Sequence, residues 1–213
     1  MTFRISVLAA AIVAAILFVC SPTDSMAQNL NKEAAMKKIA DANAKYSDVI
    51  SPFQQVKKMK GLKNEIVADG TLYFNRATSQ LNMQYVKKNQ LLITGDKLIL
   101  INGASRQSFN TKSDAAMKTL KWTLVYCIGG EVSKAAQINN ATVNYSESKD
   151  YYIFNLLIGK EVKGGWAELE LSYSKKDMSL CLMKMVEKNG NYVLYKTPVK
   201  EFNAGLPDGI FNN

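Results

Sequence analysis

The sequence contains no histidine. That absence removes Ser-His-Asp and Cys-His catalysis, histidine-ligated zinc and the usual neutral-pH general base. Chemistry run on carboxylates alone survives it, but no pair of acidic residues shares a strand face in a way that argues for it. Cysteine is scarce as well, at three residues. Cys20 lies in the N-terminal apolar run, while Cys127 and Cys181 sit inside the apolar runs WTLVYCI and LCLM. Two thiols make no metal site by themselves. They read either as a disulfide in an exported chain or as two buried small hydrophobes. No cofactor and no catalytic residue is expected, and the chain does not read as an enzyme.

The chain also lacks an apolar run long enough to favour a membrane span. Its longest, Ile5 to Cys20, follows Arg4 and gives way to Ser21-Pro22-Thr23-Asp24-Ser25-Met26-Ala27. Basic start, apolar stretch and the small-x-small Ser25-x-Ala27 site together make a secretory signal peptide cleaved after Ala27. An uncleaved anchor is a second reading. A lipoprotein signal with Cys20 acylated is a third, with Val19 bulkier than such sites usually accept. Residues 28–213 then form a single domain. The formal net charge of +9 is unchanged by cleavage, which removes Arg4 and Asp24. A basic exported surface meets anionic lipid headgroups more often than nucleic acid, so no nucleic-acid partner is expected. Plain solubility explains the charge equally well.

What the sequence has in quantity is β pattern. Glu65 to Gly103 holds three apolar-rich runs, Ile66–Phe74, Leu81–Val86 and Leu91–Ile101, with Gly95-Asp96 as a tight turn inside the last. Ile66, Ala68, Leu72 and Phe74 share one parity, the period of a half-buried strand, so the stretch reads as an antiparallel meander. Before it, Asn29 to Tyr46 reads as an amphipathic helix with Ala35, Ile39, Ala42 and Tyr46 on one face, Asn29 or Asn31 as cap, and Ser51-Pro52 ending the region. Phe53 and Val56 open a strand. Lys57, Lys58, Lys60 and Lys63 read as a solvated loop or strand edge rather than a lipid-binding patch. Ser105–Ser113 is polar and reads as a loop.

A second helix follows, with Asp114 as N-cap, Met117, Leu120, Leu124 and Cys127 or Ile128 on its apolar stripe, and Gly129-Gly130 as its stop. Glu131–Gln137 reads as a short third helix. The last third returns to strands at Ala141–Tyr145, Tyr151–Ile158, Trp166–Tyr173, Leu180–Val186, Tyr192–Tyr195 and Val199–Phe202, with Asn189-Gly190 as a hairpin turn and an irregular tail. About eight to eleven antiparallel strands imply a barrel or strongly curled sheet. Strands apolar on both parities fit an ordinary core with helices outside, which composition favours, or a curled sheet around a greasy cavity.

Several short motifs resemble those of the periplasmic outer-membrane lipoprotein carriers, the LolA-like family. They are the F-x-Q element Phe53-Gln54-Gln55, the G-x-L-x-F-x-R strand Gly70-Thr71-Leu72-Tyr73-Phe74-Asn75-Arg76, the piece Asn82-Met83-Gln84-Tyr85, and LLITGDKLILIN. The similarity spans Ala34 to Asn102, and beyond that rests on element order. The family's Arg-Pro pair is Arg76-Ala77 here, its tryptophan two residues before the tyrosine is Met83, and its Asp-Gly turn is reversed. The chain thus looks like a distant branch.

The resemblance implies a mainly β fold, an incomplete antiparallel barrel of eleven strands closed by an α-helical lid. It also implies a monomeric periplasmic carrier that takes acyl chains of lipoproteins from an inner-membrane lipoprotein-releasing complex to an outer-membrane acceptor. A membrane-anchored acceptor of the same fold, acylated at Cys20, is the alternative. On parity and helical spacing, Leu72, Phe74, Leu81, Met83, Tyr85, Leu91 and Ile93 are expected on the concave surface, with Leu120, Leu124 and Ile128 from the lid. Arg76 shares the parity of Leu72 and Phe74. The resemblance gives it the role of a latch to backbone carbonyls of the lid.

Overall fold

In the computed structural model, described for residues 22–162 and 165–212 with side chains from Asn29 onward, one large antiparallel sheet carries three helices. Helix α1 (Pro22–Asn43) leads into β1 (Asp48–Lys58), β2 (Ile66–Asn75), β3 (Gln80–Tyr85), β4 (Gln90–Thr94), β5 (Lys97–Asn102) and β6 (Ser105–Asn110). Helices α2 (Ala115–Ile128) and α3 (Val132–Ile138) follow. The chain then returns to strands β7 (Thr142–Glu147), β8 (Tyr151–Leu157), β9 (Trp166–Ser174), β10 (Leu180–Glu187), β11 (Tyr192–Lys196) and the two-residue β12 (Glu201–Phe202). The strand order is β6-β5-β4-β3-β2-β1-β11-β10-β9-β8-β7, with β12 beside β1. Eleven strands thus form one path whose edges, β6 and β7, do not pair: an open, curled sheet, as the patterns imply. The signal-peptide and Cys20 readings lie outside the described residues, except that Ser25 to Ala27 fall within the first turns of α1.

The register carries the hydrophobic pattern across the sheet. Val49, Phe74, Leu81, Ile93, Leu98 and Phe109 are successive cross-strand partners, and Ser51, Leu72, Met83, Leu91 and Leu100 form the next rung. Such pairs are the unit from which a sheet draws its stability. The other half contributes Phe154, Leu156, Leu169, Leu171, Tyr173, Met183 and Met185, all buried. With Ala35, Met36 and Ile39 of α1, Leu124, Val125, Cys127 and Ile128 of α2 and Val132 of α3, these make one core.

The structure corrects several local readings. The first helix starts at Pro22, so Asn29 and Asn31 lie inside it rather than capping it. Proline suits a first turn because that N–H has no helical partner anyway. The helix stops at Asn43, whose side chain donates back to Ile39 O and across to Met178 O. Pro52 does not end a region but lies within β1. Beyond β2, the other edge of β1 pairs with β12 at Val49 and Ile50 and with β11 from Gln54 onward. Pro52 occupies the gap, where a missing donor costs the ladder nothing. Ser105–Asn110 is the edge strand β6, not a loop. Of Val199–Phe202 only the last two residues pair. The Gly95-Asp96 turn, the Asp114 cap, which accepts from the Ala116 and Met117 N–H groups, and the Gly129-Gly130 stop are found as read. Cys127 and Cys181 are both free thiols.

Candidate lid and ligand-facing surface

The two halves of the F-x-Q and G-x-L-x-F-x-R motifs meet face to face. Phe53 and Gly70 are register partners, and Gly70 pairs in turn with Tyr85. A Cβ on Gly70 would stand 2.7 Å from the Phe53 ring and 2.2 Å from Gln84 O. Glycine is thus required by close approach, since its φ is not positive. The Phe53 ring meets Tyr85 edge-on, with centroids 5.0 Å apart. Two residues on, buried Gln55 donates from Nε2 to the hydroxyl oxygens of Tyr85 and Tyr195, both at 2.8 Å. Burial raises the pKa of both phenols.

Every residue expected on the concave surface lies in or against the one core. Leu72, Phe74, Leu81, Met83, Leu91, Ile93, Leu124 and Ile128 are buried in it, and Tyr85 and Leu120 pack on it half-buried. The helices fill the concavity. The enclosed space between Val49, Ser51, Leu72, Ile128, Leu180 and Phe202 measures about 20 Å³, room for one water and not for an acyl chain.

Helix α2 is held to this surface by polar ties at its C-terminal end and at its middle. The last carbonyls of a helix have no partner within it. Here the sheet supplies donors: Tyr173 OH donates to Cys127 O at 2.7 Å, and Arg76 Nη2 donates to Gly129 O at 2.7 Å. Arg76 Nε donates to Tyr46 O at 3.1 Å, so one guanidinium joins the end of β2 to the chain after α1 and to the end of α2. Glu131 Oε1 stands 3.7 Å from Arg76 Nη1, and Lys134 pairs with the other carboxylate oxygen. Burial lowers the Arg76 pKa and Glu131 opposes the shift. Arg76 and Glu131 lie in an open cleft of about 300 Å³ with Met36, Ala40, Val132 and Lys134.

Nearer its N-terminus, α2 reaches back to the sheet. Buried Lys121 donates from Nζ to Gly95 O at 2.6 Å in the β4–β5 turn. Its pKa is lowered by burial, with Asp96 opposing. The sequence marks Gln55 through the F-x-Q motif but gives no polar role to Lys121, Tyr173 or Glu131. Lys121 is one of several lysines on a helix, and Tyr173 and Glu131 have only spacing to mark them. Among the described residues no group of three His, Cys, Asp or Glu side chains is placed to hold a metal, and no helix is long and apolar enough to cross a membrane.

A scan against protein-family models finds no match, and a search of curated proteins finds none. Solved structures do match. The fold is similar to that of MucB, with a TM-score of 0.50, 8% identity, and 86% of this chain covered against 63% of that one. The chain therefore spans less than two thirds of MucB. A LolA superfamily protein from Nitrosomonas europaea has a TM-score of 0.43 at 9% identity, covering 85% of this chain and 97% of that one. The Mycobacterium tuberculosis lipoprotein LppX has 0.42 at 11%, covering 82% and 96%. At these identities the likeness is one of fold.

Proposed function

We propose that the protein is a periplasmic carrier of lipoprotein acyl chains, working as a monomer and without catalysis. It takes its cargo from an inner-membrane lipoprotein-releasing complex and hands it to an outer-membrane acceptor. The observation that carries this reading is the tie from Arg76 to Gly129 O and Tyr46 O. It closes a helical layer over an apolar concave face through donors that a small displacement would release. The empty protein is the closed state. Cargo enters by lifting α2 from Leu72, Phe74, Leu81, Met83, Tyr85, Leu91 and Ile93, with Leu120, Leu124 and Ile128 then facing the chain. Each buried methylene contributes about 0.8 kcal/mol, enough over an acyl chain to offset a few broken hydrogen bonds. Re-formation of the latch favours release, so affinity and hand-over are set by one two-state balance.

The test is uptake of a fluorescent fatty acid by delipidated protein, with mass spectrometry of lipid copurifying from cells. Saturable uptake displaced by unlabelled fatty acid is expected, with helical signal retained. A folded protein that takes up no probe would return the concave residues to the role of an ordinary filled core.

A further inference from the structure

Antiparallel connectivity brings the β1–β2, β3–β4 and β10–β11 turns to one end of the sheet. Lys58 pairs with Tyr192, while Gly70 pairs with Tyr85. Lys60 N donates to Asn191 Oδ1 at 2.6 Å, and Val86 N to Asp69 O at 3.0 Å. β2 is ten residues long, so this end lies about 30 Å from Arg76.

Two properties coincide there. The first is apolar exposure. Met59 is 44% exposed, Leu62 46%, Ile66 47%, Val67 53% and Val86 79%, five of the nine exposed large hydrophobic residues among the described ones. The cause is geometric. Strand β3 stops pairing at Tyr85 opposite Gly70, so residues 66–69 of β2 and the turn beyond them project past their neighbour. The second is charge. Lys57, Lys58, Lys60, Lys63, Lys87 and Lys88 stand against only Glu65 and Asp69 in the same segments. Among the described residues none of the six lysines forms an ion pair. Glu65 accepts from Tyr192 OH and Asp69 from Gln54 Nε2, so both carboxylates have other partners.

We propose that this end docks on an anionic lipid bilayer. Single apolar side chains at turn tips, spaced among lysines with no carboxylate partner, suit a headgroup layer. Met59, Leu62 and Val86 enter the acyl boundary, and the ammonium groups meet lipid phosphates. From sequence, Lys57, Lys58, Lys60 and Lys63 read as a solvated loop or strand edge, and Lys87 and Lys88 lie in a separate segment. Only the fold sets two of those segments beside each other with their apolar neighbours outward. The proposal stands apart from the carrier reading, because vesicle binding and fatty-acid uptake are separate measurements.

The experiment is sedimentation with phosphatidylcholine vesicles with and without phosphatidylglycerol, comparing the parent chain with Lys58→Gln/Lys60→Gln/Lys63→Gln. Both proteins carry the same N-terminus, so the difference reads the hairpin tip. Binding to the anionic vesicles should fall about fivefold per lysine removed, and steeply with added salt. In a second arm, the fluorescence of Leu62→Trp should be quenched by brominated acyl chains only when phosphatidylglycerol is present. Thermal melts confirm that the variants fold. Equal binding of parent and triple variant, or an unquenched Trp at position 62 on vesicles that bind the protein, would overturn the proposal.

Discussion

The ring of Phe53 lies directly over Gly70 on the neighbouring strand, close enough that no Cβ fits between them. The pair sits beside the Gln55–Tyr85–Tyr195 hydrogen bonds, so backbone, ring and polar network are fixed together. Gly70→Ala should destabilise the fold by about 1–3 kcal/mol, since the new methyl meets Gln84 O, which is backbone and cannot swing away. Phe53→Leu should relieve only the ring clash, leaving Gly70→Ala/Phe53→Leu less stable than Phe53→Leu alone. Urea denaturation of the three variants measures this, and an additive, near-zero effect of Gly70→Ala would refute the close approach.

Tyr173→Phe removes one oxygen and leaves the buried Cys127 carbonyl without its sheet donor. The carbonyl keeps the Gly130 N–H at 3.2 Å, so the cost is that of one lost hydrogen bond, about 0.5–1.5 kcal/mol. For a chain of this length each kcal/mol lowers Tm by about 2–4 °C. Hydrogen exchange should quicken at the C-terminal turn of α2 more than in β9, because the lost bond belongs to the helix end. Uniform quickening over the whole sheet would contradict that placement.

Strands β2 and β9 were legible because each buries one parity, Leu72 and Phe74 in β2 and Leu169, Leu171 and Tyr173 in β9. Strands β3, β4 and β5 instead bury neighbouring residues of both parities and stand out as short apolar runs between turn residues. Strand β6 was not legible. Ser105 to Asn110 pairs through its backbone and leaves all but Phe109 exposed, so it carries no hydrophobic alternation. Pro52 misled for a related reason: whether a strand tolerates proline depends on which neighbours pair beside it, and that is long-range information. At the candidate site, the concave residues follow from parity and the α2 stripe from helical spacing. The polar ties do not. Lys121 and Tyr173 reach partners 26 and 46 residues away: parity puts Tyr173 on the buried face but does not give its hydroxyl a partner, and nothing local distinguishes Lys121 from a solvated lysine.

Buried neutral groups fix the alkaline limit of stability. Burial pushes the Cys127 thiol from its ordinary 9.0 up to about 12. Above pH 9 the unfolded chain loses this proton while the folded chain keeps it, so folding stability falls as pH rises between about 9 and 12. At pH 10 this group alone accounts for a loss of about 1.4 kcal/mol. The Tyr85, Tyr173 and Tyr195 phenols, also raised by burial, extend the fall above their ordinary 10.0. Burial lowers Lys121, and its contribution runs the opposite way. Cys127→Ala isolates the thiol: its denaturation midpoint should drop less between pH 8 and 10 than the parent's. Parallel pH profiles would show that Cys127 titrates normally in the folded chain.

Arg76→Leu keeps an apolar stem beside Phe74 but removes the donors to Tyr46 O and Gly129 O. Glu131 retains Lys134, so no carboxylate is stranded. The Arg76 side chain is 21% exposed and two carbonyls lose its donors, so the global cost is about 1–3 kcal/mol, and the chain should fold. Locally the effect is larger, because the guanidinium spans two segments at once. Hydrogen exchange should accelerate around Gly129 and after α1 together. Arg76→Lys should not restore protection at both, since one ammonium on a flexible stem cannot reproduce the fixed fork of donors. If closure of α2 drives cargo out, Arg76→Leu should bind a fluorescent fatty acid at least as tightly as the parent. It should also pass lipoprotein to an outer-membrane acceptor more slowly. Transfer at the parent's rate, with exchange at Gly129 accelerated, would leave Arg76 as a structural clamp and remove the latch from the transport cycle.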